Sequence, residues 1–508
     1  MKIIQKSKRI LVIIEALLML VYISACSFQE ESEPQTEHRE TFEIQSDMSE
    51  VVESTGLQTA QTTEPDGFAS AESAVKAYLD GLKASDFKRM ADTFAEENYL
   101  DDILRQYTVL CQLELSPGGY IQLKEDGDVK QFMKKLTGQM KAVDLGTMKL
   151  QGFIPPESLE DTYGSETHQK NMVKRAEKYG GDNMESCVAV IELGDNKYIL
   201  LFDVIEFDGR WFNLELGGFL TNMADIDREM AGTALLDQEG WQVVKQLIVD
   251  SSKDLLESGT ERPDAKEPTE IIFESEGFDS PQKAAKAYLE GFKANELDQM
   301  ISTFSIESYV DHYDLQSSLE SVHGYAFMHQ EFNLPAVNDF SRGFNIQSRK
   351  KQIVQDIAKQ SSAVCIINEG YFRKSTLLDD EDISDENISS VLIELLNQLD
   401  LKSMKILGYI PPEVLSEVYG SEGFLDTKAR QTKVCGADSL EGCVVVFELE
   451  GNKYCFCFDA VQYKDKWYIR QLGGEISSLL GISTNFIGIM PVEALEKPEA
   501  EKLIVPIT

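Results

Sequence analysis

Residues 148–166 read MKLQGFIPPESLEDTYGSE, and residues 185–218 read ESCVAVIELGDNKYILLFDVIEFDGRWFNLELGG. The pattern returns as MKILGYIPPEVLSEVYGSE over 404–422 and as EGCVVVFELEGNKYCFCFDAVQYKDKWYIRQLGG over 441–474. From 148 to 218 and from 404 to 474 the two stretches align without a gap, with 29 of 71 positions identical. That agreement exceeds chance, so the chain holds a repeated unit. A second matched block precedes each: GFASAESAVKAYLDGLKASDFKRMADTFAEENY from Gly67 and GFDSPQKAAKAYLEGFKANELDQMISTFSIESY from Gly277.

The late part of each repeat reads as strands. Residues 187–193 and 197–207 are rich in Val, Ile, Leu, Phe and Tyr, and Asp195-Asn196 between them suits a tight hairpin turn. Asp208-Gly209 turns the chain into 210–216, where Gly217-Gly218 ends the meander; Gly451-Asn452 and Lys464-Asp465 hold the matching turns. The early part reads as helices. Ser70 is a suitable N-cap, and Ala74, Ala77, Tyr78, Gly81 and Leu82 recur on one face. Ser85-Asp86 opens a second helix with Phe87, Met90, Ala91 and Phe94 inward, and Pro281 suits the first helical position of the second repeat. Paired helices followed by an antiparallel meander predict an α+β fold, two repeated domains each with N-terminal helices packed on a curved antiparallel sheet. Between the matched blocks, 107–115 reads as a strand and 129–140 as a helix. The second repeat carries 46 more residues in this interval, of which 349–363 reads as a helix and 379–386 is acidic.

The pattern SAESAVKAYLDGLKASDF followed by late strands closing on DGRWFNLEL resembles the nuclear-transport-factor-2-like superfamily, the cystatin-like cone. SPQKAAKAYLEGFKANEL and KDKWYIRQL carry the resemblance in the second repeat, so that it covers about 67–220 and 277–475. The resemblance implies a hydrophobic cavity between helix and sheet. It fixes no activity, since that superfamily holds ketosteroid-isomerase-like enzymes beside many non-catalytic extracytoplasmic modules.

The amino terminus supplies an address. Lys2, Lys6, Lys8 and Arg9 precede an apolar run, 10–22, too short for a comfortable membrane span and interrupted by Glu15. The run ends in Ile23-Ser24-Ala25-Cys26, which resembles a bacterial lipobox with Cys26 as the lipidated residue. The chain thus divides into a lipoprotein signal peptide (1–25), the lipidated cysteine with an acidic tether (26–66), a first α+β domain (67–224) and a helical connector and linker (225–276). A second α+β domain (277–484), with an insertion near 318–390, and a tail (485–508) complete it. The tether, poor in aromatic residues, is expected to stay unfolded and to reach roughly 35 Å. The expected location is the extracytoplasmic face of the cell membrane, held by the N-terminal lipid.

Charge excludes one class of partner. The net charge is −39, and the four basic and one acidic residues of 1–25 leave −42 on the remainder. Such a field repels nucleic acid and anionic lipid.

Candidate chemistry is sparse. Asp203 and Asp459 occupy matching positions in the longest strand, in step with Leu201 and Ile205 or Cys457 and Val461. An aspartate on an apolar strand face costs free energy unless it is bonded or faces a cavity. It is therefore either a pocket acid or base, like the cavity carboxylates of the isomerase-like relatives, or a structural residue bonded to backbone or a helix terminus. Tyr78, Tyr288, Trp211 and Trp467 are paired aromatics that line a ligand pocket or fill the core. Beyond Cys26 there are seven cysteines without zinc spacing, among which a Cys435–Cys443 bond is one option. The five histidines follow no catalytic order, and no cofactor or metal site is expected. Function is accordingly read as a binding module for a small apolar ligand in the cone or an envelope protein on the sheet. The alternatives are an isomerase- or dehydratase-like enzyme using an aspartate, or a structural envelope component.

Overall fold

The computed structural model describes residues 67–95, 99–111, 120–122, 126–159, 163–223, 230–249, 272–321, 325–327, 334–368, 399–483, 486–495 and 500–507. Both repeats lie in one unit, Gly67–Thr376 with Gln398–Thr508; the other unit, Met1–Asp66 with Leu377–Asn397, falls outside the described residues, as do Cys26, the tether and the acidic run 379–386.

Ser70 starts the first repeat, its hydroxyl accepting the Ser73 N–H at 3.2 Å at the head of helix α1 (Ala71–Ala84). Ser85 ends that helix in the left-handed conformation, and Ala74, Tyr78 and Leu82 form its buried stripe. The short α2 (Phe87–Ala91) follows, capped by Asp86, and then α3 (Tyr99–Leu110). Residues 107–110, expected as the start of a strand, continue α3. Leu100, Ile103, Tyr107 and Leu110 are buried at helical spacing, and this packing overrides the strand preference of Tyr107, Thr108 and Val109.

Strand β1 (Tyr120–Gln122), helix α4 (Asp126–Ala142) and strand β2 (Lys149–Ile154) come next. After helix α5 (Glu166–Lys178), the meander β3 (Asn183–Leu193), β4 (Asn196–Phe207) and β5 (Arg210–Leu216) gives the antiparallel order β2-β3-β4-β5. A six-residue helix, α6 (Gly218–Met223), leaves the end of β5.

The segment read as a helical connector carries strand β6 (Thr233–Leu236) before helix α7 (Gln238–Leu247). Strand β4 is long enough to share one edge: β5 pairs with 202–207 and β6 with 197–200. The two meet where Gly217 N–H donates to Leu201 O at 2.8 Å and Leu201 N–H donates to Gly232 O at 3.0 Å. Val249 then closes on Phe153 of β2. The connector therefore completes the first sheet.

The second repeat follows the same plan. Ser280 caps helix α8 (Pro281–Ala294), ended by left-handed Asn295, and α9 (Leu297–Ile301), α10 (Glu307–His312) and α11 (Leu315–Ser321) follow. Strand β7 (Tyr325–Phe327) and the 30-residue helix α12 (Asp339–Asn368) belong to the insertion. Strand β8 (Lys405–Ile410), the one-turn α13 (Pro412–Leu415), α14 (Glu422–Cys435), β9 (Ser439–Leu449), β10 (Asn452–Tyr463) and β11 (Lys466–Leu472) repeat the sheet. Helix α15 (Gly474–Leu479) leads to β12 (Ile489–Pro491), which pairs with β10 as β6 pairs with β4. Val505 closes on Tyr409, so the residues read as a tail are the matching end of the second sheet.

The insertion joins the repeats. Strands β1 and β7 pair antiparallel, Tyr120 opposite Phe327. Near the start of α12, Phe340 stacks on Tyr107 with ring centroids 3.9 Å apart and lies 5.2 Å from Phe87. Asn338 Nδ2 donates to the Tyr107 hydroxyl at 3.1 Å. Twenty residues beyond Phe340, the same helix serves its own repeat: Gln360 accepts from the Tyr288 hydroxyl at 2.5 Å and donates to Ile487 O at 3.1 Å.

Candidate functional site

Strand β4 is buried on both faces, so the placement of Asp203 follows from what covers each. Leu200, Phe202 and Val204 pack with Ala74, Tyr78 and Leu82 of α1 in the main core. Leu201 and Ile205 belong to separate clusters, the first with Leu220 and Val244, the second with Met172 and Ala176 of α5. Strand alternation puts Asp203 with Leu201 and Ile205. The aspartate thus lies on the sheet face away from α1, beneath α5 and α6, and not between helix α1 and the sheet, where the sequence resemblance implied a cavity.

There the carboxylate is fully engaged. Asp203 Oδ2 accepts from Arg175 Nη1 at 2.6 Å and from the Phe219 N–H at 2.8 Å, and Oδ1 accepts from Ser186 Oγ at 2.8 Å. Arg175 also pairs through Nη2 with Glu215, the residue opposite Asp203 on β5. Asp203 therefore tethers the start of α6 to the sheet. A Cβ at Gly218 would overlap its carboxyl, and Gly218 has φ 62°, so glycine is required here on two counts. Burial pushes the Asp203 carboxyl up to about 6 against the pull of Arg175.

The second repeat holds the same carboxylate differently. Asp459 Oδ2 accepts from the Glu475 N–H at 3.2 Å and Gln471 Nε2 at 3.3 Å, with Arg470 Nη1 at 3.5 Å. Gln431 stands where Arg175 stands in the first repeat, and Arg470 stands where Leu214 does. Both 214 and 470 fall where the pairing register shifts, at a bulge that re-aims a side chain. Asp459 Oδ1 is buried without a partner, and burial raises this carboxyl to about 6 as well.

Tyr78, Tyr288 and Trp211 are buried in the packed core, whereas Trp467 is half-buried. The Tyr78 ring sits 5.7 Å from Phe94 and 5.5 Å from Phe202, and its hydroxyl donates to Gln106 Oε1 at 2.7 Å. Tyr288 lies 5.8 Å from Phe304 and 5.2 Å from Phe456. Trp211 and Trp467 sit at the start of β5 and β11, bridged through backbone to Phe68 and Phe278. The structure does not bring these tryptophans together with the aspartates. All seven described cysteines are buried and none is in a disulfide, Cys435 and Cys443 included, and no group of metal-ligating side chains occurs among the described residues.

Arg175, Ser186, Glu215, Arg470, Gln106 and Gln360 were not singled out from the sequence. The signal was present for the arginines: the loss of Arg175 at Gln431 coincides with the gain of Arg470 at the Leu214 position, a compensating exchange between the copies.

No family model matches the chain, and no curated protein sequence matches it. Among solved structures it is similar to a cystatin-like protein from Ruminococcus gnavus ATCC 29149, with a TM-score of 0.42 and 11% identity, over 85% of this chain and 94% of that one.

Proposed function

We propose that this protein is a non-catalytic binding module held at the outer face of the cell membrane by a lipid on Cys26. Its two repeats are read as duplicated nuclear-transport-factor-2-like domains, and its ligand as a partner protein. One observation supports this choice over a small molecule: Tyr78, Phe94 and Phe202, like Tyr288, Phe304 and Phe456, meet ring to ring where a cavity ligand would lie. Catalysis by Asp203 loses its support as well, since three donors, one of them the Phe219 N–H at a helix start, engage its carboxylate; Asp459 is held in the matching place by the Glu475 N–H.

Native mass spectrometry of the purified protein tests the reading. The expected mass is that of the chain with its lipid and nothing else; a small molecule released on mild denaturation would overturn it in favour of cavity binding. Replacement Cys26→Ser should move the protein from the membrane to the soluble fraction, and retention in the membrane would remove the anchoring assignment.

A further inference from the structure

The two repeats serve as controls for each other, because a residue the fold needs should recur in both. At four nearby positions the second repeat is apolar where the first is polar: Val414 for Ser158, Val418 for Thr162, Phe424 for His168 and Leu425 for Gln169. Three of the four are exposed, Val414 by 40%, Val418 by 52% and Leu425 by 50%. They stand on α13, between α13 and α14, and on α14, in the same segment as Tyr419 and Phe424, whose rings are 4.5 Å apart. The core is served by neighbours instead, Leu415 on α13 and Val434 and Cys435 at the far end of α14. Exposed apolar side chains that the fold does not require mark a contact surface.

The rim defines the partner. Glu413, Glu417, Glu422 and Asp426 are exposed and interleaved in sequence with the three apolar residues, and 411–427 contains no lysine or arginine. The next cation, Lys428, is turned to Glu441 at 2.8 Å. A second copy docking the same face would set four carboxylates against four, and anionic lipid would be repelled likewise. A basic partner is attracted by the rim, and its apolar side chains would desolvate the centre.

We infer that the α13–α14 face of the second repeat docks a basic amphipathic protein segment, Val414, Val418 and Leu425 forming the apolar centre and Glu413, Glu417, Glu422 and Asp426 the acidic rim. This rests on the protein-binding reading above and names its surface.

The test uses the full chain and a labelled synthetic helical peptide with leucines on one face and lysines on the other, followed by fluorescence anisotropy. Wild type should bind saturably and more weakly as sodium chloride is raised. The variant Val414→Ser/Val418→Thr/Leu425→Gln, which installs the first repeat's residues at exposed positions, should melt at the same temperature and bind at least tenfold more weakly. Equal binding by the variant, or none by wild type, overturns the surface. A concentration-dependent dimer in sedimentation velocity, abolished by the triple variant, overturns it in favour of self-association. Failure of the wider reading is distinct, because it shows as a co-purifying small molecule in native mass spectrometry.

Discussion

Arg470 stands to Asp459 as Arg175 stands to Asp203, although the two arginines come from unmatched positions. Arg175 reaches down from helix α5 at 2.6 Å, whereas Arg470 reaches from the bulge of β11 at 3.5 Å. The buried carboxylate is kept in both repeats and its counter-charge has moved.

That exchange predicts a rescue. Arg175→Gln alone leaves a buried charge without its partner and should destabilise the fold by about 3 kcal/mol. Adding Leu214→Arg and Glu215→Gln installs the arrangement of Gln431, Arg470 and Gln471 and should recover most of the loss. Urea midpoints of the single and triple variants check this; a triple variant no more stable than the single would refute equivalence.

Gly218→Ala and Gly474→Ala should each cost more than about 2 kcal/mol, since the added methyl overlaps Asp203 or Asp459 and both glycines have positive φ. Gly138→Ala in helix α4 meets nothing within 4 Å and should stabilise by up to about 1 kcal/mol. Thermal melts of the three variants separate the cases.

Burial raises Asp459 to about 6 from an ordinary 3.8. Between those values the folded protein holds a proton that the unfolded chain has released, so this group's contribution to stability falls as pH rises through the window. Each unit of displacement corresponds to about 1.4 kcal/mol. Asp459→Asn removes the titration, and its stability should decline less than wild type's from pH 4 to pH 6.5. Parallel wild-type and variant profiles would locate the titration elsewhere.

Phe340→Ala removes the ring stacked on Tyr107 and should cost about 3 kcal/mol. Because the loss falls on the junction of the repeats, calorimetry should resolve one wild-type transition into two. A single transition shifted downward would mean that the repeats stay coupled without this contact.

Much of the fold was legible because its signals are local. Ser70 and Ser280 cap helices as hydroxyls before an apolar stripe do, and the long strands declare themselves by composition. Strands β6 and β12 were not legible: they span four and three residues, and after them the first repeat forms a ten-residue helix where the second forms a short turn. Only Gly232 with Gly488, and 247–249 with 503–505, betray the match. For the candidate site, alternation grouped Asp203 correctly with Leu201 and Ile205. A strand buried on both faces, however, carries no mark of which face meets α1, and that depends on helices placed by tertiary packing.

Thirty residues of helix extend about 45 Å, and α12 spends that length on two masters. Its sequence address is the second repeat, while Phe340 and Phe344 are buried in the core of the first. A chain trimmed to the first repeat would turn Phe87 and Tyr107 toward water, and one trimmed to the second would strand Phe340 and Phe344. The halves can be told apart by sequence, but the first completes its core only with side chains that the second supplies.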